Sequence, residues 1–274
     1  MYKRQVLLHP ELYRQFGRLL LITPTRSGTT QETIDATRYF QEHFPCLTLA
    51  FVEYEQAPIS DLADVVITLP WACEQSVCQT ASFSNLYLAV IITAAILAGD
   101  QPFLDQIQLF VGELPGLMPQ IEQAAEDVVN QFDYRYVVTL GSGAAYGVSI
   151  EGAYIGIEMA QQPANYYTTL ELRHGPIVML DQASLVCLFS TVQGSDYEEK
   201  MCADARKKGA TVIALGGSKP YAEADRSLMT GATNQAELQA LLGVIFMQGL
   251  AYFKAVKKGG DPDNPGDLCR YIML

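Results

Sequence analysis

Hydrophobic and polar positions follow two recurring rhythms along the chain. Short, mainly apolar runs at residues 17–24, 46–52 and 65–69 mark parallel strands, the first read as buried. Between them, residues 28–44 carry apolar side chains at helical spacing, and 76–98 form a longer helix rich in Ala, Ile and Leu. A connecting helix is expected at 117–132, with Glu122, Glu126 and Asp127 on its polar face. The rhythm then restarts. A strand at 136–140 leads into the glycine-rich GSGAAYG at 141–147 and a helix to about residue 161. A strand at 185–190, a helix at 197–208, a strand at 211–215 and a long helix at 235–257 follow. Strands alternating with helices over short loops predict an α/β fold with parallel sheets. Two doubly wound lobes are expected, residues 1–130 and 131–274. The first lobe has no counterpart to the strand and GSG turn that open the second, so it is expected to be incomplete at its N-terminal end.

Composition narrows the class. The chain has 274 residues, 49% of them hydrophobic, enough for a sizeable core. Its formal net charge of −12 argues against nucleic acid and anionic membrane surfaces as partners, and any anionic ligand must be held by local features. The six cysteines form no CxxC and most sit in apolar runs, which fits reduced thiols in a cytoplasmic protein. With three histidines and no ligand-like spacing, no metal site is expected. The apolar run at 86–98 is too short to span a bilayer and reads as a buried helix.

The stretch TPTRSGTTQET, residues 23–33, joins the first strand to the first long helix and carries six hydroxyl side chains. A helix N-terminus presents N–H groups without partners and partial positive charge, so a loop that aims them at a ligand binds phosphate. Gly28 permits close backbone approach, Thr25, Ser27, Thr29 and Thr30 supply hydroxyl donors, and Arg26 supplies charge. The bland alternative is a capping box, with Thr29 as cap and Glu32 reaching back.

Four motifs in order resemble the sugar isomerase (SIS) family: RSGTTQET in this loop, EQSVCQTASF at 74–83, ELRHGPIVML at 171–180, and GGDPDNP at 259–265. The nearest branches are tagatose-6-phosphate ketose/aldose isomerases, galactosamine-6-phosphate deaminase-isomerases and the isomerase domain of glucosamine-6-phosphate synthase. The resemblance implies tandem flavodoxin-like lobes and a homodimer acting on a sugar phosphate, with no metal or redox cofactor. It also implies that Thr25, Ser27 and Thr30, with Arg26 and Gly28, hold the phosphate, and that Val77, Glu151 and Arg270 are substrate contacts. Glu158 is implied as the enediol base and His174 as the ring-opening acid/base.

Glu151 and Glu158 are the only charges on the helix after GSG; seven residues apart, they share one face, about 10 Å along the axis. Burial of that helix would raise a carboxyl pKa, although a solvated polar stripe would give the same spacing. The sequence departs from the amino-sugar pattern at two lysines, which here are Ile155 and Arg270. Arginine stays protonated, so synthase-type chemistry is in doubt, while isomerisation, deamination or deglycation remain. A non-catalytic phosphosugar sensor is the competing reading. A dinucleotide-binding role for GSGAAYG is weak, because no acidic residue ends the following strand.

Overall fold

The structure is a computed structural model that describes residues 3–13, 17–266 and 268. Its described residues group into two compact units, the first reaching residue 75 and including 79–94, the second comprising 76–78 and 95–268.

In the first unit, β1 (Leu19–Pro24), β2 (Cys46–Val52) and β3 (Val65–Thr68) form a parallel sheet in that order. Its helices are α1 (Lys3–Leu8), α2 (Gln31–His43) and most of α3 (Ala81–Ala98). Alternation along β2 sends Ala50 and Val52 against Ile34, Ala57 and Ile59, and sends Leu49 and Phe51 against Leu69, Ala72 and Leu86. Both faces of the sheet are thus covered, which is why β2 reads as a continuous apolar run. The expectation that the 86–98 run is buried is corrected. Within α3 only Ser82, Leu86 and Ala95 are buried, because one face packs on the sheet through Leu86, Ala89 and Val90 while the rest stays partly open. By length and composition alone, α3 and a later helix, Ala236–Lys257, are apolar enough to cross a membrane; their windows are 17% and 61% buried.

In the second unit, β4 (Tyr136–Gly141), β5 (Ala164–Thr168), β6 (Ser184–Phe189), β7 (Thr211–Leu215) and β8 (Arg226–Leu228) form a parallel sheet in the order β5-β4-β6-β7-β8. This is the doubly wound order whose switch point, and hence ligand crevice, lies outside the carboxyl ends of β4 and β6. The unit's helices are α4 (Gln101–Gln131), α5 (Ala144–Ala160), α6 (Asp196–Lys207) and α7 (Ala236–Lys257). The two edge strands escape the hydrophobic pattern, since ANYYT and RSL are short and half-buried rather than apolar runs. α4 starts sixteen residues earlier than its pattern predicts and runs through Pro115 and Pro119. Both prolines are exposed, so water can serve the carbonyls that lose their N–H partners. α4 packs on α7 and so groups with the second unit, whereas the sequence places the lobe division near residue 130.

α7 is the core helix, burying Leu238, Leu241, Leu242, Val244, Phe246, Met247 and Leu250. Two glycines let elements close up on one another. A Cβ on Gly152 of α5 would lie 3.0 Å from Met247 Cγ, and one on Gly243 of α7 would lie 2.5 Å from Phe189 Cε1. Gly243→Ala is therefore expected to destabilise the chain by about 1–3 kcal/mol through overpacking, read as a lower urea midpoint at unchanged m-value. At the end of α7, Lys254 Nζ donates to Tyr134 O (2.9 Å), Lys257 Nζ to Val129 O (2.6 Å) and Lys258 Nζ to Ala160 O (2.7 Å). Lys257 and Lys258 thus serve the carbonyl ends of α4 and α5, whose dipoles favour positive charge, and Lys254 serves the loop after α4.

Candidate functional site

In the first unit the loop after β1 continues the pairing with β2 before turning into α2. Thr25 N–H donates to Phe51 O (3.0 Å), Glu53 N–H to Arg26 O (3.1 Å) and Ile59 N–H to Gly28 O (3.2 Å). Gly28 takes φ +64°, the left-handed region that glycine adopts without strain. Thr25, Arg26 and Ser27 are almost fully buried. Thr25 Oγ1 accepts from Gly28 N–H (3.2 Å), and Ser27 Oγ accepts from Thr29 N–H (3.2 Å) while pairing with Thr29 Oγ1 (2.8 Å). A hydroxyl that accepts from the backbone keeps its own proton to donate. Thr25, and one of the Ser27–Thr29 pair, can donate in this way.

The capping-box alternative is not what forms. The N-cap of α2 is Thr30, not Thr29, and its side chain makes no capping hydrogen bond. The start of α3 differs. Glu74 accepts from Thr80 N–H (2.9 Å), Ala81 N–H (3.2 Å), Ser82 N–H (3.0 Å) and Thr80 Oγ1 (2.7 Å). Burial acts to raise the Glu74 pKa, but the bonds from Ser82 and Thr80 outweigh it and hold the carboxyl below its usual range. The corresponding loop of the second unit, between β6 and α6, is also closed from within. Gly194 takes φ +71°, Ser195 Oγ accepts from Tyr197 N–H (3.1 Å), and Glu198 accepts from Thr191 N–H (3.0 Å), Thr191 Oγ1 (2.8 Å) and Tyr221 O–H (2.5 Å). The Thr30 side chain makes no capping bond at the start of α2, whereas Glu74 accepts from the N–H groups that open α3, and at α6 Ser195 caps the helix while Glu198 takes the Thr191 donors of the preceding loop.

In the second unit, α5 carries Glu151 and Glu158, both half-buried, with Ile155 fully buried between them. Burial pushes the Glu151 carboxyl up to about 7, and the charge of Glu158 adds to the rise. Its ionisation is thus poised near neutrality. Because the folded pKa stands above that of the unfolded chain, the folded state holds the extra proton between about pH 4.5 and 7, and stability falls as pH rises through that window. Glu151→Gln is expected to remove this fall, leaving the variant more stable than the parent at pH 8, by about 1–3 kcal/mol, but not at pH 4.5. Urea unfolding at the two pH values checks it.

His174 sits at the end of a short 3-10 turn, Glu171–Arg173, after β5; its ring is exposed and makes no hydrogen bond to Glu158. The turn is held instead by Arg173, whose Nε donates to Asp204 Oδ2 at 2.8 Å. Val77 N–H donates to Asp263 O (3.0 Å), so the second and fourth sequence motifs meet through the backbone. Arg270 lies outside the described residues. Sequence reasoning missed Glu53 and Glu74. Glu53, 2% exposed, follows the last residue of β2, and an acid closing an apolar strand was the available signal. Glu74 lies inside the second motif, but its capping role depends on a turn that spacing alone does not specify.

No family model matches the chain. The chain is similar to a protein of Methanosarcina mazei named glutamine–fructose-6-phosphate aminotransferase [isomerizing], at 28% identity over 269 residues, covering 93% of this chain and 43% of that one. A Bartonella quintana protein of the same name is 28% identical over 282 residues, covering 93% and 44%. The chain thus spans less than half the length of these curated relatives. Among solved structures, a glucosamine-6-phosphate deaminase from Thermotoga maritima superposes with TM-score 0.78 at 25% identity, over 94% of this chain and 76% of that one. A tagatose-6-phosphate ketose/aldose isomerase from Escherichia coli superposes with TM-score 0.81 at 23% identity, over 96% and 75%, and shows the same fold. The parallel α/β architecture, the four ordered motifs and these likenesses are together consistent with the sugar isomerase (SIS) family.

Proposed function

We propose that the chain binds a hexose or hexosamine 6-phosphate and catalyses aldose–ketose isomerisation, or deamination, through an enediol. The observation that carries the reading is the 25–30 loop: hydroxyl donors and a glycine at positive φ ahead of a helix terminus that no side chain of Thr30 closes. The names of the relatives, an isomerizing aminotransferase and a glucosamine-6-phosphate deaminase, agree in substrate chemistry. In this reading Thr25, Arg26, Ser27, Gly28 and Thr30 hold the phosphate. Glu158 moves the proton between C1 and C2, Glu151 holds a proton beside it near neutral pH, and His174 opens the ring. Val77 and Arg270 are substrate contacts. We read the chain as the two-lobed, cytoplasmic, homodimeric form of the family, with lobes near 1–130 and 131–274.

A non-catalytic phosphosugar sensor is the second reading, and one observation favours it. Ile155 is fully buried and apolar at the position where amino-sugar isomerases carry lysine. Deglycation of a fructosamine 6-phosphate remains a third outcome of the same test. The test is proton NMR in D₂O with galactosamine-, glucosamine-, tagatose- and fructose-6-phosphate. Deuterium entering C1 or C2 supports the enediol reading, and ammonia release alongside specifies deamination. A sugar that protects the fold against heat without exchange supports the sensor.

A further inference from the structure

The 25–30 loop is an odd place to bind an anion, because a buried carboxylate, Glu53, lies beside it. Glu53 lies along the loop: residues 51–53 pair with residues 25 and 26 through Thr25 N–H to Phe51 O and Glu53 N–H to Arg26 O. Its side chain is 2% exposed. Oε2 accepts from Ser82 Oγ at 3.0 Å, and Oε1 is buried with no hydrogen-bond partner among the described residues. A buried carboxylate oxygen without a donor is costly, whereas a neutral carboxyl turns that oxygen into a donor. A phosphate dianion offers only acceptors, so it complements the neutral acid and repels the ionised one.

We propose that Glu53 is a further ligand-binding residue of this loop and enters the complex as the neutral acid, so that an anion bound there brings a proton with it. The inference rests on the phosphate reading of the loop. The proton comes from solvent and settles on the Glu53 carboxyl; no covalent bond of the ligand is made or broken. The charged groups acting on Glu53 are Glu74 and Arg26. Burial is the largest influence and raises its pKa, the Ser82 bond opposes it, Glu74 raises it and Arg26 lowers it. A bound anion acts in the same sense as Glu74. Glu74 itself is satisfied by the N–H groups at the start of α3, so of the two acids Glu53 is the one that protonates. The sign follows from linkage. The ligand raises the Glu53 pKa further, so between the free and bound values binding takes up a proton and affinity falls as pH rises; above the bound value it is flat.

Isothermal titration of fructose 6-phosphate across about pH 5.5–8, with Glu53→Gln as the reference for the phosphate's own proton near pH 6, counts protons when run at each pH in two buffers of different ionisation enthalpy. The parent is expected to take up a fraction of a proton approaching one, with affinity falling by up to about tenfold per pH unit within the window. Glu53→Gln, whose amide donates at every pH, is expected to bind without that uptake and without that pH dependence. Ser82→Ala removes the bond that favours the ionised form and should move the window to higher pH; it decides the matter if the first variant fails to fold. Tight binding with no uptake, or with the same uptake in Glu53→Gln, or a window unmoved in Ser82→Ala, overturns the role of Glu53 and leaves the phosphate loop standing. Failure of fructose 6-phosphate, glucosamine 6-phosphate and inorganic phosphate alike to bind overturns the phosphate reading and this inference with it.

Discussion

Glu158→Gln is expected to abolish deuterium incorporation at C1 and C2 of whichever hexose phosphate the parent exchanges, lowering the rate by about 10²–10⁴-fold, the range for removing one general base. The substitution keeps the shape and hydrogen-bonding reach of the side chain but removes the group that accepts a proton from carbon. Binding should survive it, because the phosphate is assigned to the 25–30 loop and Glu158 to α5. The same sugar should therefore still raise the melting temperature of the variant. Loss of exchange with retained protection locates the defect in the proton-transfer step. Undiminished exchange would move the base elsewhere, and Glu151 would be tested next, since its carboxyl is pushed up to about 7. In the parent, exchange should depend on pH near neutrality, because burial, with the Glu158 charge adding, pushes the Glu151 carboxyl up to about 7.

The second large effect is expected at Gly28. A Cβ there would lie 2.6 Å from Ala57 Cβ and 2.8 Å from Ile59 Cγ2, at φ +64°. The left-handed conformation costs a non-glycine residue about 1–2 kcal/mol, and the crowding adds about 1–3 kcal/mol unless the loop moves. The neighbours are packed in the core formed with Ile34, Ala50 and Val52, so the loop yields more readily than they do. Gly28→Ala should thus pull Thr25 Oγ1 and the start of α2 out of alignment. Phosphosugar affinity is expected to fall by tenfold or more, on the order of the strain energy, measured by titration at a temperature where the variant remains folded. Unchanged affinity in a destabilised variant would mean that the loop shapes the core and holds no anion.

Some of this was legible in the residues. β2 and β7 lie where their apolar runs end, because a strand buried on both faces writes its length into composition. α7 was equally plain, as a long apolar helix between a polar turn and a lysine-rich end. The hydroxyl-rich loop was visible because a strand–helix junction with glycine among hydroxyls is a local pattern, and the backbone it needs, positive φ at Gly28, is a local property too. The shared face of Glu151 and Glu158 followed from helical geometry alone.

The remainder depends on contacts between residues far apart in the chain. β5 and β8 are strands because β4 and β7 offer them open edges, and their own sequences are too short or too polar to say so. α4 survives two prolines because its exposed side tolerates them and α7 holds the other. Where Glu74 and Glu198 find their donors could not be read locally, since Glu74 reaches forward to the start of α3 and Glu198 back to Thr191, across turns whose shape the core imposes. Glu53 is the clearest case. As a sequence it is one acid after a strand; only the fold sets it against Ser82, 29 residues away, and buries its second oxygen without a donor. Sequence by itself determined the strands buried on both faces, the long apolar helices, the loop and the family resemblance, because periodicity and short motifs are local. Tertiary structure decided which acids are buried, which are satisfied and which is poised near neutrality, because desolvation and hydrogen bonding belong to the packed molecule.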